Sequence, residues 1–484
     1  EKISRLCAGA GICSVMLALM VTGCANHRSK TGPAANNSLQ AGMAEIDITP
    51  PIGYRMAGYF NERFSTAIHD PLMAKALVLR QGNVQVAMVF CDLVGLSLHV
   101  SKKARELASQ RTGIPVSHIV MAATHSHTGP LFDDVRGDYF HQAMLAKTGQ
   151  DPHLMIDYPA FLTDQLVKVV VAAQKKLQPA TLEAGIAQLP GLAFNRRYYM
   201  KDGTVRFNPG ILNPNIVGPA GPTDPDVSML IVKNRDGQAM GGLTVFAMHC
   251  DSIGGTQYSA DYPYYIQQTL RSNFGPAYIS AFGAGTCGNI NHLDVSKKQN
   301  YSGFDVAERN GDRIGQTVVQ NLPNLKFIEH PSLDCKSQTL MLPFQTVTPD
   351  QVKTAKLEMA HLDDPKTSFQ TRVKTVQILD LARHGKVWPM EVQVFRLDHD
   401  TAIVCLPAEI FVEFGLAIKK ASPFKRTFVI TICNDRPAYV PTLKAFSEGG
   451  YEVWNSRVKP GGGEKLTDTA IRLLDELKRN EKTE

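Results

Sequence analysis

Several stretches of this chain are apolar without a break for the length of a strand and then end at a residue able to bind a metal. "HIVMAAT" runs into His125-Ser126-His127, "LTVFAM" into His249, "TAIVCLP" into Ala408-Glu409, and "TFVITICN" into Asp435 with Tyr439 shortly after. A strand-length run that is apolar throughout, rather than at alternate positions, reads as a strand buried on both faces. Such strands demand cover on both sides of the sheet, which excludes a small or single-layer fold. "KALVLRQGNVQVAMVFCDLVGL" reads as two more strands across a Gly82-Asn83 turn, and "PAYISAFGAG" as another. Between them lie helical patterns: "SKKARELASQRTG" with a Ser start and a Gly stop, "YPAFLTDQLVKVVVAAQKKLQP", "FDVAERNGDRIGQTVVQNL", "DQVKTAKLEMAHL", and a closing "TDTAIRLLDELKRN" with Thr467 or Asp468 as cap. The expected fold class is α/β, with mixed layered β-sheets flanked by helices.

The chain has 484 residues, 44% of them hydrophobic, enough for one large core or two ordinary ones. Its formal net charge of +6 comes from scattered Lys and Arg with no basic stripe, which argues against nucleic acid as a partner. Residues 1–23 read as an export signal: Lys2 and Arg5, an apolar run from Leu6 to Val21, then small residues before Cys24. The run is short for a membrane span. Cys24 at the cut site predicts a bacterial lipoprotein of the cell envelope, lipid-anchored to a membrane through Cys24, with residues 24–41 as a flexible tether. Residues 42–484 are expected to form one catalytic domain with a weak seam near 328–346. The later cysteines, Cys91, Cys250, Cys287, Cys335, Cys405 and Cys433, show no C-x-x-C spacing and read as buried thiols.

Imidazole and carboxylate are suitable zinc donors, and loops at strand ends are where a rigid scaffold presents function. Residues two apart on a strand face the same side, so His125 and His127 are expected to point together. A zinc site with an open position lowers the pKa of a bound water. Each ending alone is equally well a buried strand running into a turn. Four in one chain suggest a site, without showing that they meet.

The order of motifs adds to this. "AEIDITPPIG", "AIHDPLMAKALVL", "THSHTGP", "NRR" at Asn195–Arg197, "FAMH" with a downstream "SADY", the Gly-rich turn from Gly283 to Asn291, "LPAEIF" and "AYVPT" follow one another from about Ala41 to Glu452. In this order they resemble the neutral (alkaline, non-lysosomal) ceramidase family. The resemblance implies that fold, a Zn2+ ion, and ligands at His125, His249, Glu409 and Tyr439. It places a catalytic acid/base at His127 and a substrate-contacting guanidinium at Arg196, with Arg197 as competitor. Several positions depart from the family. Ala408 stands for its Gly, Pro441 for a Thr, and Asn291 for its nucleophilic Ser in "CGNINH", where Asn289 and His292 also replace Asp and Pro. An amide is no activated nucleophile. Only about thirty residues, largely helical in pattern, follow Glu452, so the family's C-terminal sandwich-like domain is not expected here.

The leading expectation is therefore a zinc-dependent hydrolase that cleaves an amide with metal-bound water, Asn291 orienting that water or the substrate. The polar segments 133–157 and 196–226, read as long loops, favour a polar substrate. They keep open a metal-dependent lyase or hydrolase of acidic or polar glycans, in which Arg196 would neutralise a substrate carboxylate. Ceramide cleavage itself would need Cys287 or water in place of the serine. A non-catalytic glycan- or lipid-binding lipoprotein is the remaining alternative.

Overall fold

The fully apolar strands become the middle of a four-layer stack. The computed structural model describes residues 38–480. In it the largest sheet runs, in spatial order, Ile279–Ala284, Ala239–Phe246, Asp226–Asn234, Gln178–Gln188, Gln40–Asp47, Met73–Gln81, Val84–Cys91 and Ile119–Ala123. Neighbours are antiparallel except at the two edges, where crossover helices Tyr262–Phe274 and Leu98–Thr112 return the chain to a parallel strand. The strand Met73–Gln81 shows why both faces are apolar. Ala74, Ala76 and Val78 pack under the helices, while Leu77 and Leu79 pack against a second sheet. That second sheet, in the order Asp334–Pro343, Val387–Arg396, Thr401–Cys405, Arg426–Ile430, covers its own far face with helices Val412–Ala421 and Gly462–Asn480. The layers are therefore helix, sheet, sheet, helix, in agreement with the α/β expectation.

The large sheet curls until its edge strand Ile279–Ala284 lies against the opposite edge, Ile119–Ala123. The chain leaving the second sheet closes the gap. Thr431 N–H donates to Ala284 O at 2.8 Å, and Asn434 N–H to Met121 O at 2.7 Å. Strand ends that lie far apart in sequence thus gather at one place.

Local signals held at the Gly82-Asn83 hairpin, where Gln81 pairs with Val84. The first helix begins earlier than expected, with Ser97 as N-cap, and ends at left-handed Gly113. The last helix starts at Gly462, so Thr467 and Asp468 are interior and cap nothing. A Cβ on Gly463 would meet the Phe414 ring at 2.3 Å, which shows how closely this helix start packs. Segment 133–157 is not a loop: Val135–Thr148 is a helix between an Asp134 cap and left-handed Gly149. Segment 196–226 contains the small sheet of Arg197–Met200, Val205–Phe207 and Ile216–Pro219.

The described residues form one compact unit, undivided near 328–346. Its first strand starts at Gln40, inside the expected tether. The expected signal, the Cys24 anchor and most of the tether lie outside the described residues. All six later cysteines are buried free thiols, as expected.

Candidate metal centre

Four of the expected ligands meet. His125 Nε2 and His249 Nε2 each lie 3.3 Å from Glu409 Oε2. The Tyr439 hydroxyl lies 3.5 Å from His249 Nε2. Glu409 and Tyr439 come together because Glu409–Ile410 and Tyr439–Val440 pair as short parallel strands with these two residues in register. Both imidazoles are fixed from behind. His125 Nδ1 donates to Val94 O and His249 Nδ1 to Cys287 O, each at 2.7 Å. This leaves the Nε2 lone pairs facing the centre, the orientation that metal-binding histidines adopt.

The HxH pair converges by a different route from the one expected. The strand ends at Ala123, and His125 has φ +74°. A left-handed bend, not strand alternation, turns both rings inward. Ala408 (φ +68°) and Ala438 (φ +58°), just before Glu409 and Tyr439, are left-handed as well. Backbone strain concentrates at the centre.

The donors fit a metal. Glu409 Oε2 is buried and has no hydrogen-bond partner. Donors bound tetrahedrally at about 2.0–2.1 Å stand roughly 3.3 Å apart, the separation found here. His125, His127 and His249 could themselves hold an ion, their nearest donor atoms all lying within 4.8 Å of one another. Burial opposes charge on Glu409, but His125 and His249 outweigh it and hold the carboxyl well below its usual range. Burial, then Arg196, pushes His249 down to about 4.

His127 differs from its neighbours. Its Nε2 sits 3.3 Å from His125 Nε2, and no carbonyl fixes its Nδ1 among the described residues. Burial, then His125, holds its pKa well below the ordinary value, so the ring is a neutral base. Tyr59 packs edge-on against it at 5.9 Å. Gly58 (φ +98°) passes so close that a Cβ would lie 2.4 Å from His127 O.

Arg196 and Arg197 share buried Glu452, at 3.0 and 3.1 Å. Arg196 faces the centre, its guanidinium carbon 5.4 Å from the Tyr439 ring, and its Nη2 donates to Gly288 O. Arg197 turns away to Glu448. Burial works against the Arg196 charge, but Tyr439 and Glu452 outweigh it and raise its pKa. Asn291 is fully buried; its Nδ2 donates to Asn208 and its Oδ1 accepts from Leu293 N–H, with no hydrogen bond to the histidines among the described residues. Cys287 is buried and its thiol pKa is pushed up, first by burial and then by Glu409, which suits its carbonyl's role under His249 better than nucleophilic attack.

Three features were missed in the sequence. Glu452, the partner of Arg196, carries no signal because 256 residues separate them. Asp251 and His292 form an ion pair at 3.3 Å beside the centre. Burial would raise the Asp251 pKa, but His292 outweighs it and lowers it. The His in "CGNINH" was the available clue. The third is the wall of the adjoining cavity, described below.

Residues 39–261 match the family model described as neutral/alkaline non-lysosomal ceramidase, N-terminal. The neutral ceramidase of Pseudomonas aeruginosa is 24% identical over 290 residues, 57% of this chain and 40% of that protein. Neutral ceramidase B of Dictyostelium discoideum is 23% identical over 272 residues, 53% of this chain and 36% of that protein. The matched stretch thus spans about two fifths of the length of these curated relatives. The crystal structure of the Pseudomonas aeruginosa neutral ceramidase superposes with a TM-score of 0.69 at 19% identity, covering 92% of this chain and 75% of that one. A ceramidase complexed with C2 gives a TM-score of 0.68 at 17% identity, covering 92% and 76%.

Proposed function

Because residues 39–261 carry the neutral/alkaline ceramidase N-terminal domain, we propose that this chain is a zinc-dependent hydrolase of an amide bond. The observation that supports it most is the convergence of His125, His249, Glu409 and Tyr439, with both ligand imidazoles fixed from behind. A zinc ion held by these four supplies Lewis acidity towards a carbonyl oxygen and lowers the pKa of a water molecule. His127, neutral and unfixed, takes the proton from the attacking water and returns it to the leaving nitrogen. Arg196 keeps a fixed positive charge beside Tyr439, where negative charge develops on the substrate oxygen. Glu452 holds that guanidinium in place. Residues 1–24 are proposed to export and anchor the protein, a reading that rests on sequence alone.

Metal analysis with turnover tests this. The purified protein is expected to carry close to one zinc per chain, and stripping it with a chelator should abolish release of fatty acid from an N-acyl lipid until zinc is restored. Release that continues in the metal-free protein would overturn the proposal. A second reading, a metal-dependent lyase or hydrolase of acidic or polar glycans, draws support from the charged walls of the cavity beside the centre. Formation of unsaturated sugar ends from an acidic glycan would favour elimination over hydrolysis.

A further inference from the structure

The centre opens into a cavity of about 560 Å³ whose other walls mix charged with apolar side chains. His125, His127, Glu409 and Tyr439 occupy one part of it, while Lys102, Arg136, Arg436 and Trp388 line other parts. Most charges there cancel in pairs. Arg457 meets Asp380 at 2.8 Å, and Arg383 meets Asp138 at 3.2 Å. Asp133 accepts from Ser97 and faces His99.

One group of charges does not balance. Two guanidiniums, Arg136 and Arg436, face a single carboxylate, Asp134. Arg136 takes both of its oxygens in a fork, Nε to Oδ1 and Nη2 to Oδ2, each at 2.8 Å. Arg436 is left 3.8 Å from Asp134. Its Nη2 donates to Phe132 O, and its Nε is buried without a partner. The neighbouring Asp435 feels the Arg436 charge but accepts no hydrogen bond from its guanidinium. That carboxyl accepts from Leu98 N–H, from the Arg436 backbone N–H and from Trp388 Nε1. Lys102, exposed on the same cavity, makes no ion pair with a described residue. The Arg436 side chain is held by shape: a Cβ on Gly95 would lie 2.3 Å from its Cδ.

The Arg436 side chain stays partly open to the cavity, and a guanidinium that shares its carboxylate with a second guanidinium can take an anion. We propose that Arg436, with Lys102, forms an anion subsite, and that the substrate carries a carboxylate or sulfate on the part that fills this cavity. The inference rests on the metal centre being where the substrate reacts. It moves recognition of a substrate anion from Arg196, which is engaged by Glu452, to Arg436.

The test is binding rather than turnover. Trp388 lines the cavity, so its fluorescence reports occupancy, with calorimetry as a second readout. Two matched pairs of probes are titrated into the full protein: N-octanoylglycine against N-octanoylglycinamide, and a glucuronate disaccharide against its neutral glucose counterpart. At least one anion is expected to bind tenfold or more tightly than its uncharged twin. A response in the first pair points to an acidic N-acyl amino acid, and in the second to an acidic sugar. R436Q should erase the preference. K102Q, at an exposed position, should reduce it severalfold even if R436Q fails to fold. Equal binding of both members of both pairs, or a preference untouched in K102Q and in folded R436Q, overturns the proposal. Metal content measured on the same samples reads the centre separately: a zinc-free protein that still prefers anions would refute the enzyme reading and leave the subsite standing.

Discussion

The metal cradle and the cavity wall beside it are held by opposite means. In the cradle, ligand atoms are fixed by the backbone. Val94 O and Cys287 O orient two imidazoles, and a parallel strand pair sets Glu409 next to Tyr439. In the wall, side chains hold one another, Arg136 on Asp134 and Arg457 on Asp380. Two buried carboxyls show the consequence. Glu409 faces imidazoles and is driven below its usual range, whereas Asp435 is raised to about 6 by burial, its strongest partners being neutral N–H donors. Backbone-fixed donors keep their geometry when surface residues change. A wall of side-chain pairs can be rebuilt residue by residue.

The largest effect should come from the cradle. H249A removes one of the four proposed ligands, and zinc content and turnover should both fall to background. Zinc retained at full occupancy in H249A would show that the ion sits elsewhere. H127A breaks the comparison within the cradle, because His127 is the histidine with no carbonyl behind it. Turnover should drop by about 10²–10⁴, the usual worth of a general base, with zinc content unchanged. Loss of zinc in H127A would instead make His127 a ligand, as the three-histidine cluster allows.

The wall responds to pH. Asp435 holds its proton up to about 6 in the folded protein, against about 3.9 in an unfolded chain. Between those values the native state binds the extra proton, so Asp435 contributes stability at low pH that is lost as pH rises through the window, about 3 kcal/mol in full. Urea unfolding from pH 4 to pH 7 should show this decline, and D435N should flatten it. An unchanged slope in D435N would place the titration elsewhere, with Asp261, also raised to about 6, as the next candidate.

The same contrast explains what was legible in the sequence. The cradle ligands sit where apolar strands stop, and strand ends are visible because burial on both faces leaves an unbroken apolar run. Their convergence was not visible. It depends on the sheet curling edge to edge and on residues 431–434 bonding both edges. The bend at His125 was read as strand alternation because nothing but its φ of +74° distinguishes the two. The wall was harder to read. The helix Val135–Thr148 buries only Arg136 and Phe140, too thin a stripe to register, although Asp134 and Gly149 marked its ends. Arg436 looked like one more scattered cation until Asp134 was seen to be taken by Arg136.

The smallest effect tests whether the cradle stores strain. Ala408 stands directly before Glu409 at φ +68°, where the resembled family has Gly. A left-handed conformation costs an L-residue roughly 1–2 kcal/mol. Glycine removes that cost but adds roughly 0.5–1 kcal/mol of chain entropy to the unfolded state. A408G should therefore stabilise the protein by about 0.5–1 kcal/mol, read as a higher urea midpoint at unchanged slope, with zinc content unaltered. Destabilisation would mean that the Ala408 methyl, fully buried in the core of the second sheet and its helices, contributes more by packing than it costs in backbone strain.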